Sequence, residues 1–198
     1  MKKYTQEEFD AIPVDENGIR HCPTGDYTAI NRFGAHCRFG AACRFGAHCS
    51  FGEYCSFGAH CSFGAHCSFG VVCNFGAGCS FGAGCSFGEV CSFGAGCSFG
   101  AVCSFGAHCS FGAHCICEFG QFVSMLSAGG FGSCGRTTYF FLLSDGHICV
   151  RCGCFAGTLD EWAAKVKQTH GDSQIAKAYL LLIPAVKAQF EMGGFCNG

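Results

Sequence analysis

The sequence predicts a mainly β protein: a triangular parallel β-solenoid with three six-residue repeats per coil, followed by a small C-terminal α+β module. Three observations carry this. The unit Phe-Gly-x-x-Cys-x repeats without a gap from Phe33 to Ile116, fourteen times. Its clearest departures, Glu53-Tyr54, Val71-Val72 and Glu89-Val90, fall 18 residues apart, so one coil holds three repeats. After Ile116 the phase breaks at Cys117-Glu118-Phe119 and a different composition begins. The organisation expected is an N-terminal capping segment over 1–26, the solenoid over 27–119 and the module over 120–198.

Composition excludes the other classes. In 198 residues there are 31 Gly, 23 Phe and 21 Cys. Glycine without a Gly-X-Y period is not collagen, and this much apolar surface is not a disordered chain. A helix is excluded for the repeats, because six is not a helical period and a Gly in every unit costs about 1 kcal/mol in a helix. Cys and Phe, two apart on a strand, share one side, and only the inside can bury fourteen rings. Ser between them points outward. The repeat Gly is expected to supply the unusual backbone angle of a corner.

Before the repeats, Thr5-Gln-Glu-Glu8 has the form of a capping box, predicting a short helix that ends before Pro13, with an irregular stretch through Cys22-Pro23. Arg32, Arg38 and Arg44 fall one on each face of the first full coil, where later coils carry Ser or Asn. They read as an end collar that blocks stacking, or as an anion-binding ring. Beyond the repeats, Gly129-Gly-Phe-Gly132 reads as a flexible connection, Thr137–Leu143 and Ile148–Cys154 as a hairpin about the turn Ser144-Asp-Gly146, and Thr158-Leu-Asp-Glu161 as a capping box opening a helix to about Thr169. A last helix runs from Ser173 to about Glu191, and Pro184 is expected to kink or divide it.

Twelve Lys and Arg against fourteen Asp and Glu give a net charge of −2, which argues against nucleic acid and anionic membranes as partners. No signal-peptide pattern and no 18-residue apolar run is present, so a cytoplasmic location and reduced cysteines are expected. Thiolate columns could hold soft metals, but they do not converge tetrahedrally, and no cofactor is expected. Cys149, Cys152 and Cys154, with Cys134 nearby, contain a C-x-x-C and form the weak metal candidate. Alternation puts Cys152 and Cys154 on one face with Ile148 and Val150, and Cys149 on the other, which favours core cysteines. Of the six repeat histidines, His48 and His66 are stacked neighbours. The edge bearing Glu53, Tyr54, Val71, Val72, Glu89 and Val90 is the expected contact surface, with a second copy or another protein as partner and no small-molecule substrate evident.

Two resemblances add to this. The repeats resemble the hexapeptide-repeat left-handed β-helix family, with Phe for its aliphatic residue and Cys for its small one, which implies left-handed coils; some members are acyltransferases that use a His between subunits. The module, through Gly129-Gly-Phe-Gly-Ser-Cys-Gly-Arg-Thr-Thr-Tyr-Phe-Phe, Val150-Arg-Cys-Gly-Cys-Phe-Ala-Gly-Thr-Leu-Asp-Glu-Trp and Lys165-Val-Lys-Gln-Thr-His-Gly-Asp, is similar to uncharacterised proteins of gut bacteria and their phages that carry Cys-Ser-Phe-Gly repeats. That likeness implies a phage or prophage origin and no activity. The expected function is a non-enzymatic scaffold or interaction protein with a C-terminal recognition or oligomerisation module. The alternatives are a thiol-rich soft-metal or redox protein, and an acyltransferase-like enzyme.

Overall fold

In each Cys-x-Phe segment the alternation of a strand sends the first and third side chains to one side and the second to the other. The computed structural model, which describes residues 1–131 and 135–193, buries Cys and Phe of every repeat from Cys37 to Phe105. Each strand pairs in parallel with the one 18 residues on, as in Ser62↔Ser80 and Phe63↔Phe81. The chain therefore winds through three faces. The first contains Arg20–Cys22, Cys37–Phe39, Ser56–Phe57, Asn74–Phe75, Ser92–Phe93 and Ser110–Phe111. Arg44–Phe45, Ser62–Phe63, Ser80–Phe81 and Ser98–Phe99 lie on the second, and Arg32–Phe33, Ser50–Phe51, Ser68–Phe69, Ser86–Phe87 and Ser104–Phe105 on the third. Contacts divide the chain into two compact units, between Glu118 and Phe119.

Inside the solenoid, rings 18 residues apart stack face to face, Phe63 and Phe81 at 4.9 Å with planes 4° apart. Rings six apart meet edge to face, Phe69 and Phe75 at 5.0 Å and 90°. Both geometries suit the aromatic quadrupole, each adding roughly 0.5–1.5 kcal/mol beyond burial. The N-terminal segment continues this core. Helix α1 (Gln6–Asp10), capped by Thr5 and Glu8 as expected, sets Phe9 edge-on to Phe33 at 5.1 Å. Tyr27 stacks on Phe45 at 5.5 Å and on Tyr4 at 4.7 Å, and its hydroxyl donates to Pro23 O. The stretch expected to be irregular thus contributes a strand, Arg20–Cys22, which pairs with Cys37–Phe39, and beyond it Asp26–Tyr27 pairs with Arg44–Phe45. They lack the repeat's Phe-Gly, and Cys22 and Tyr27 fill the Phe positions instead.

The corners correct the expectation for glycine. The left-handed residue is the fourth of each repeat, not the second: His48, Tyr54, Val72 and Val90 have φ of 58°, 56°, 58° and 59°. The second-position Gly is required by crowding. A Cβ on Gly64 would stand 2.5 Å from Ala47 N of the preceding coil, and one on Gly76 2.5 Å from Ala59 N.

In the second unit, Gly120–Phe131, Arg136–Leu143, Ile148–Cys152 and Phe155–Thr158 form an antiparallel meander. Helices α2 (Leu159–His170) and α3 (Gln174–Gly193) pack on it through Trp162, Val166, Tyr179 and Phe190, with Trp162 edge-on to Phe140 at 5.5 Å. Gly129–Phe131, read as a flexible connection, closes the first strand. Gly130 takes φ 81° where the register shifts between Ala128 and Phe131, so the glycine serves a bulge. Pro184 does not divide α3, because Tyr179, Val186 and Phe190 on either side of it share one core.

Two substitutions separate the constraints at a corner. Gly64→Ala is expected to destabilise by roughly 1–3 kcal/mol through overpacking against backbone. Val90→Gly is expected to stabilise by about 1 kcal/mol, because a β-branched residue leaves the left-handed region. Chemical denaturation monitored by circular dichroism reads both; equal signs would refute this account of the corner.

Candidate functional site

The cysteines can be settled first. Their thiols donate to carbonyls of the preceding coil, Cys55 to Gly34 O at 3.4 Å, Cys61 to Gly40 O at 3.3 Å and Cys79 to Gly58 O at 3.4 Å. Contacts between stacked thiols push members of a column in opposite directions, Cys61 and Cys73 up and their neighbours Cys55, Cys79 and Cys91 down, while burial opposes the charged form of each. The described cysteines are free.

In the module, Cys149 is buried, and burial pushes its thiol up. Cys152 accepts from Thr138 Oγ1 at 3.2 Å and joins the core beside Ile148 and Val150. Cys154 departs from the expected shared face: the strand ends at Cys152, Gly153 turns with φ 61°, and Cys154 is exposed. Cys134 lies outside the described residues. Among the described residues no three His, Cys, Asp or Glu side chains are grouped to hold a metal ion.

The outer surface is more informative. Arg32, Arg38 and Arg44 lie on the third, first and second faces, one each. Residues 20–50 carry four Arg against one Asp, whereas 51–117 carry only Glu53 and Glu89. The solenoid's positive charge is thus concentrated in its first coils. Glu53, Val71 and Glu89 stack on one corner, at the entry to the first face, and Tyr54, Val72 and Val90 stack beside them. The backbone ladder runs through this corner, with Tyr54 N donating to Val71 O at 3.0 Å and Val72 N to Glu89 O at 2.9 Å. Tyr54 is 49% exposed and Val90 48%.

His36 occupies the coil below Tyr54 on the same corner, and their rings stack at 5.1 Å with planes 4° apart. Sequence reasoning found the other stack, His48 on His66 at 5.2 Å, and missed this one, although 36 and 54 show the same 18-residue separation. A groove of about 310 Å³ lies along this edge of the first face, lined by Ile19, His36, Arg38, Tyr54, Val72 and Asn74, with Ser56 between Arg38 and Asn74 in the register. Its contents are an exposed aromatic pair, a guanidinium, an amide and a hydroxyl. That set can stack on a planar ring, pair with an anion and hydrogen-bond to a polar edge.

Seven segments of the repeats match the model of the RNA-binding, Nab2-type zinc finger: 32–46, 36–52, 42–58, 55–70, 72–88, 90–106 and 102–116. The matches cover less than half of the chain; the matching model is a zinc-finger repeat, and it supports neither the hexapeptide-repeat kinship nor the phage origin expected from the sequence. No curated protein and no solved structure matches. The expectation that nucleic acid is not a partner is overturned by this similarity to an RNA-binding family. It rested on a net charge of −2, which averages over the basic first coils. No helix among the described residues is long and apolar enough to cross a membrane.

The zinc that the family name implies does not fit these residues. A zinc finger needs Cys and His converging on one point at about 2.0–2.3 Å. In the corners of His36, His48 and His60 the following Cys37, Cys49 and Cys61 are buried toward the axis, whereas the histidines are exposed and left-handed. Consecutive side chains on opposite sides of the wall cannot share an ion. Native protein is accordingly expected to show no zinc by elemental analysis and no rise in melting temperature on zinc addition. The thirteen buried repeat cysteines should resist alkylation until the chain unfolds and then all react, with the half-buried Cys109 reacting earlier. Stoichiometric zinc released on alkylation would contradict this.

Proposed function

We propose that the chain is a non-enzymatic binding solenoid that holds single-stranded RNA on its N-terminal coils, through side chains rather than through zinc. The observation that carries the reading is the groove where the His36–Tyr54 stack stands beside Arg38, Ser56 and Asn74. Bases of a single strand are unstacked and offer a π-face to an aromatic ring, worth roughly 1–3 kcal/mol per base. Arg38 supplies a planar donor fork for a phosphate or a base edge. The similarity to an RNA-binding family supports the ligand class, and the concentration of Arg in residues 20–50 supports the end of the solenoid at which it binds.

The coils contribute rigidity. Parallel ladders and stacked rings fix the groove before the ligand arrives, so little ordering entropy opposes binding. Val72 and Val90 extend the Tyr54 corner with apolar surface, in a conformation that costs a β-branched residue roughly 1–3 kcal/mol. Val102 bears the same strain alone on another corner, so what supports a contact role here is the run of Tyr54, Val72 and Val90 in register beside the groove.

Fluorescence anisotropy with a labelled mixed-sequence RNA 12-mer tests the proposal. Binding in or below the range of about 10⁻⁴–10⁻⁶ M, weakening with salt, is expected. Tyr54→Ala should weaken it by at least about fivefold, the lower end of a lost stacking contact. Arg38→Ala should weaken it and make the logarithmic salt slope shallower by about 0.7, the value for one phosphate contact on a single strand. Absence of binding, or binding that both variants leave unchanged, would sink the reading.

A further inference from the structure

We infer that the cavity beneath α1 is a guanine-binding pocket, a deepening that rests on the RNA-binding reading above. The cavity has a volume of about 550 Å³ and is a cleft open to solvent between α1 and the first coil, with Gln6, Asp10 and Arg32 exposed at its mouth. That size falls within the range of roughly 300–1,000 Å³ typical of small-molecule sites. It adjoins the groove already described: Gly34 and Ala35 line the cavity, and His36, the next residue of the same corner, lines the groove.

Its charged groups are of two opposite signs, with the neutral Gln6 and Ser50 beside them. Asp10 and Gln6 come from α1, and Arg20 and Arg32 from the coil wall. Arg20 is fixed: its guanidinium donates to Phe9 O at 2.6 Å and lies 4.8 Å over the Phe9 ring. Arg32 has no hydrogen bond or ion pair among the described residues and is exposed. Asp10 Oδ1 accepts from Gln6 Nε2 at 3.0 Å, which orients the carboxylate and leaves Oδ2 free to accept. Val14 and Ala35 provide apolar wall.

A phosphate alone does not suit this set, because Asp10 would repel it. The set suits a planar ligand that presents paired donors on one edge and paired acceptors on another. Guanine does this: N1–H and N2–H₂ match a carboxylate, and O6 and N7 match a guanidinium fork. Adenine offers one amino group and no ring N–H. Uracil offers one donor, and cytosine's donor and acceptors share one edge. A strand with guanine in the cavity would place its neighbouring nucleotide beside the His36–Tyr54 stack.

Isothermal titration of the full chain with GMP, AMP, CMP and UMP tests this directly. GMP is expected to bind at least about fivefold more tightly than the other three, the lower end of what a bidentate pair discriminates. Asp10→Asn should remove that preference, since an amide nitrogen would face the guanine donors, and Arg32→Ala should weaken GMP at least about fivefold. Melting temperatures within error of the parent establish that both variants fold. GMP no tighter than AMP or CMP, or a preference that survives Asp10→Asn, overturns the inference. The two proposals fail separately. RNA binding that depends on Tyr54 but is equal for G-rich and A-rich strands sinks the guanine pocket alone, whereas GMP selectivity without RNA binding sinks the RNA reading and leaves a nucleotide pocket.

Discussion

The spacing between coils is the constraint on which the rest of the solenoid depends. Parallel ladders set it near 4.8 Å, and the stacked Phe columns agree with it, Phe51 on Phe69 at 4.9 Å and Phe57 on Phe75 at 5.0 Å. Backbone hydrogen bonds and ring stacking therefore ask for the same repeat distance, and neither strains the other. At that distance the second-position residue has no room for a Cβ from Gly40 onward, whereas Gly34, in the first repeat, has open space there. The same spacing continues outside the wall. His36 on Tyr54 and His48 on His66 stack at 5.1 and 5.2 Å because the corners that bear them are already held one ladder step apart.

The core uses only the Phe and Cys positions and crowding fixes most of the Gly, so the other three positions contribute no core side chain, although the fourth must still adopt the left-handed conformation. Variation there is information about the surface. Most corners use Ala at the third position and His, Ala or Gly at the fourth, and the glycines at the fourth position also make room for neighbours. Gly78 and Gly84 lie where a Cβ would meet His60 and His66 of the preceding coil, at 2.6 and 2.5 Å. Valine has no such reason to be there. A left-handed valine is disfavoured by sterics and offers the core nothing; Val102 carries the same strain singly on another corner, whereas Val72 and Val90 continue Tyr54 in register on the corner that carries the groove.

The solenoid was legible because its signal is redundant: fourteen repeats state the period and three in-register departures state the number per coil. Single-copy elements were legible where a local motif specified them. Thr5 with Glu8, and Thr158 with Glu161, cap the helices the sequence assigned to them. Reading failed where tertiary pairing overrides composition. Arg20–Cys22 has no Phe-Gly signature and becomes a strand because a formed ladder at Cys37–Phe39 offers it partners. Gly129–Phe131 looks like a linker and is held as strand by Arg136–Leu143, with Gly130 absorbing the bulge. The C-x-x-C reading needed alternation to continue past Cys152, and the turn at Gly153 stopped it.

The candidate site was harder to read, and charge shows why. A net of −2 is a property of the whole chain, whereas a ligand meets a patch whose field decays over roughly 8–10 Å. Over residues 20–50 the balance is four Arg to one Asp, and in a solenoid those residues are not spread out: they are the first coils, with Arg32, Arg38 and Arg44 in adjacent thirds of one turn. The repeat thus converts sequence distance into position along an axis, so a local excess of charge in the sequence is a local excess in space. The same conversion explains the zinc-finger similarity. Cys and His recur at close intervals, as a zinc finger's ligands must, but here the strand alternation sends Cys and Phe inward and leaves His outside. The residues that would have been metal ligands are divided by the wall, and those on the outside, His36 with Tyr54 and Arg38, are left to meet a ligand directly.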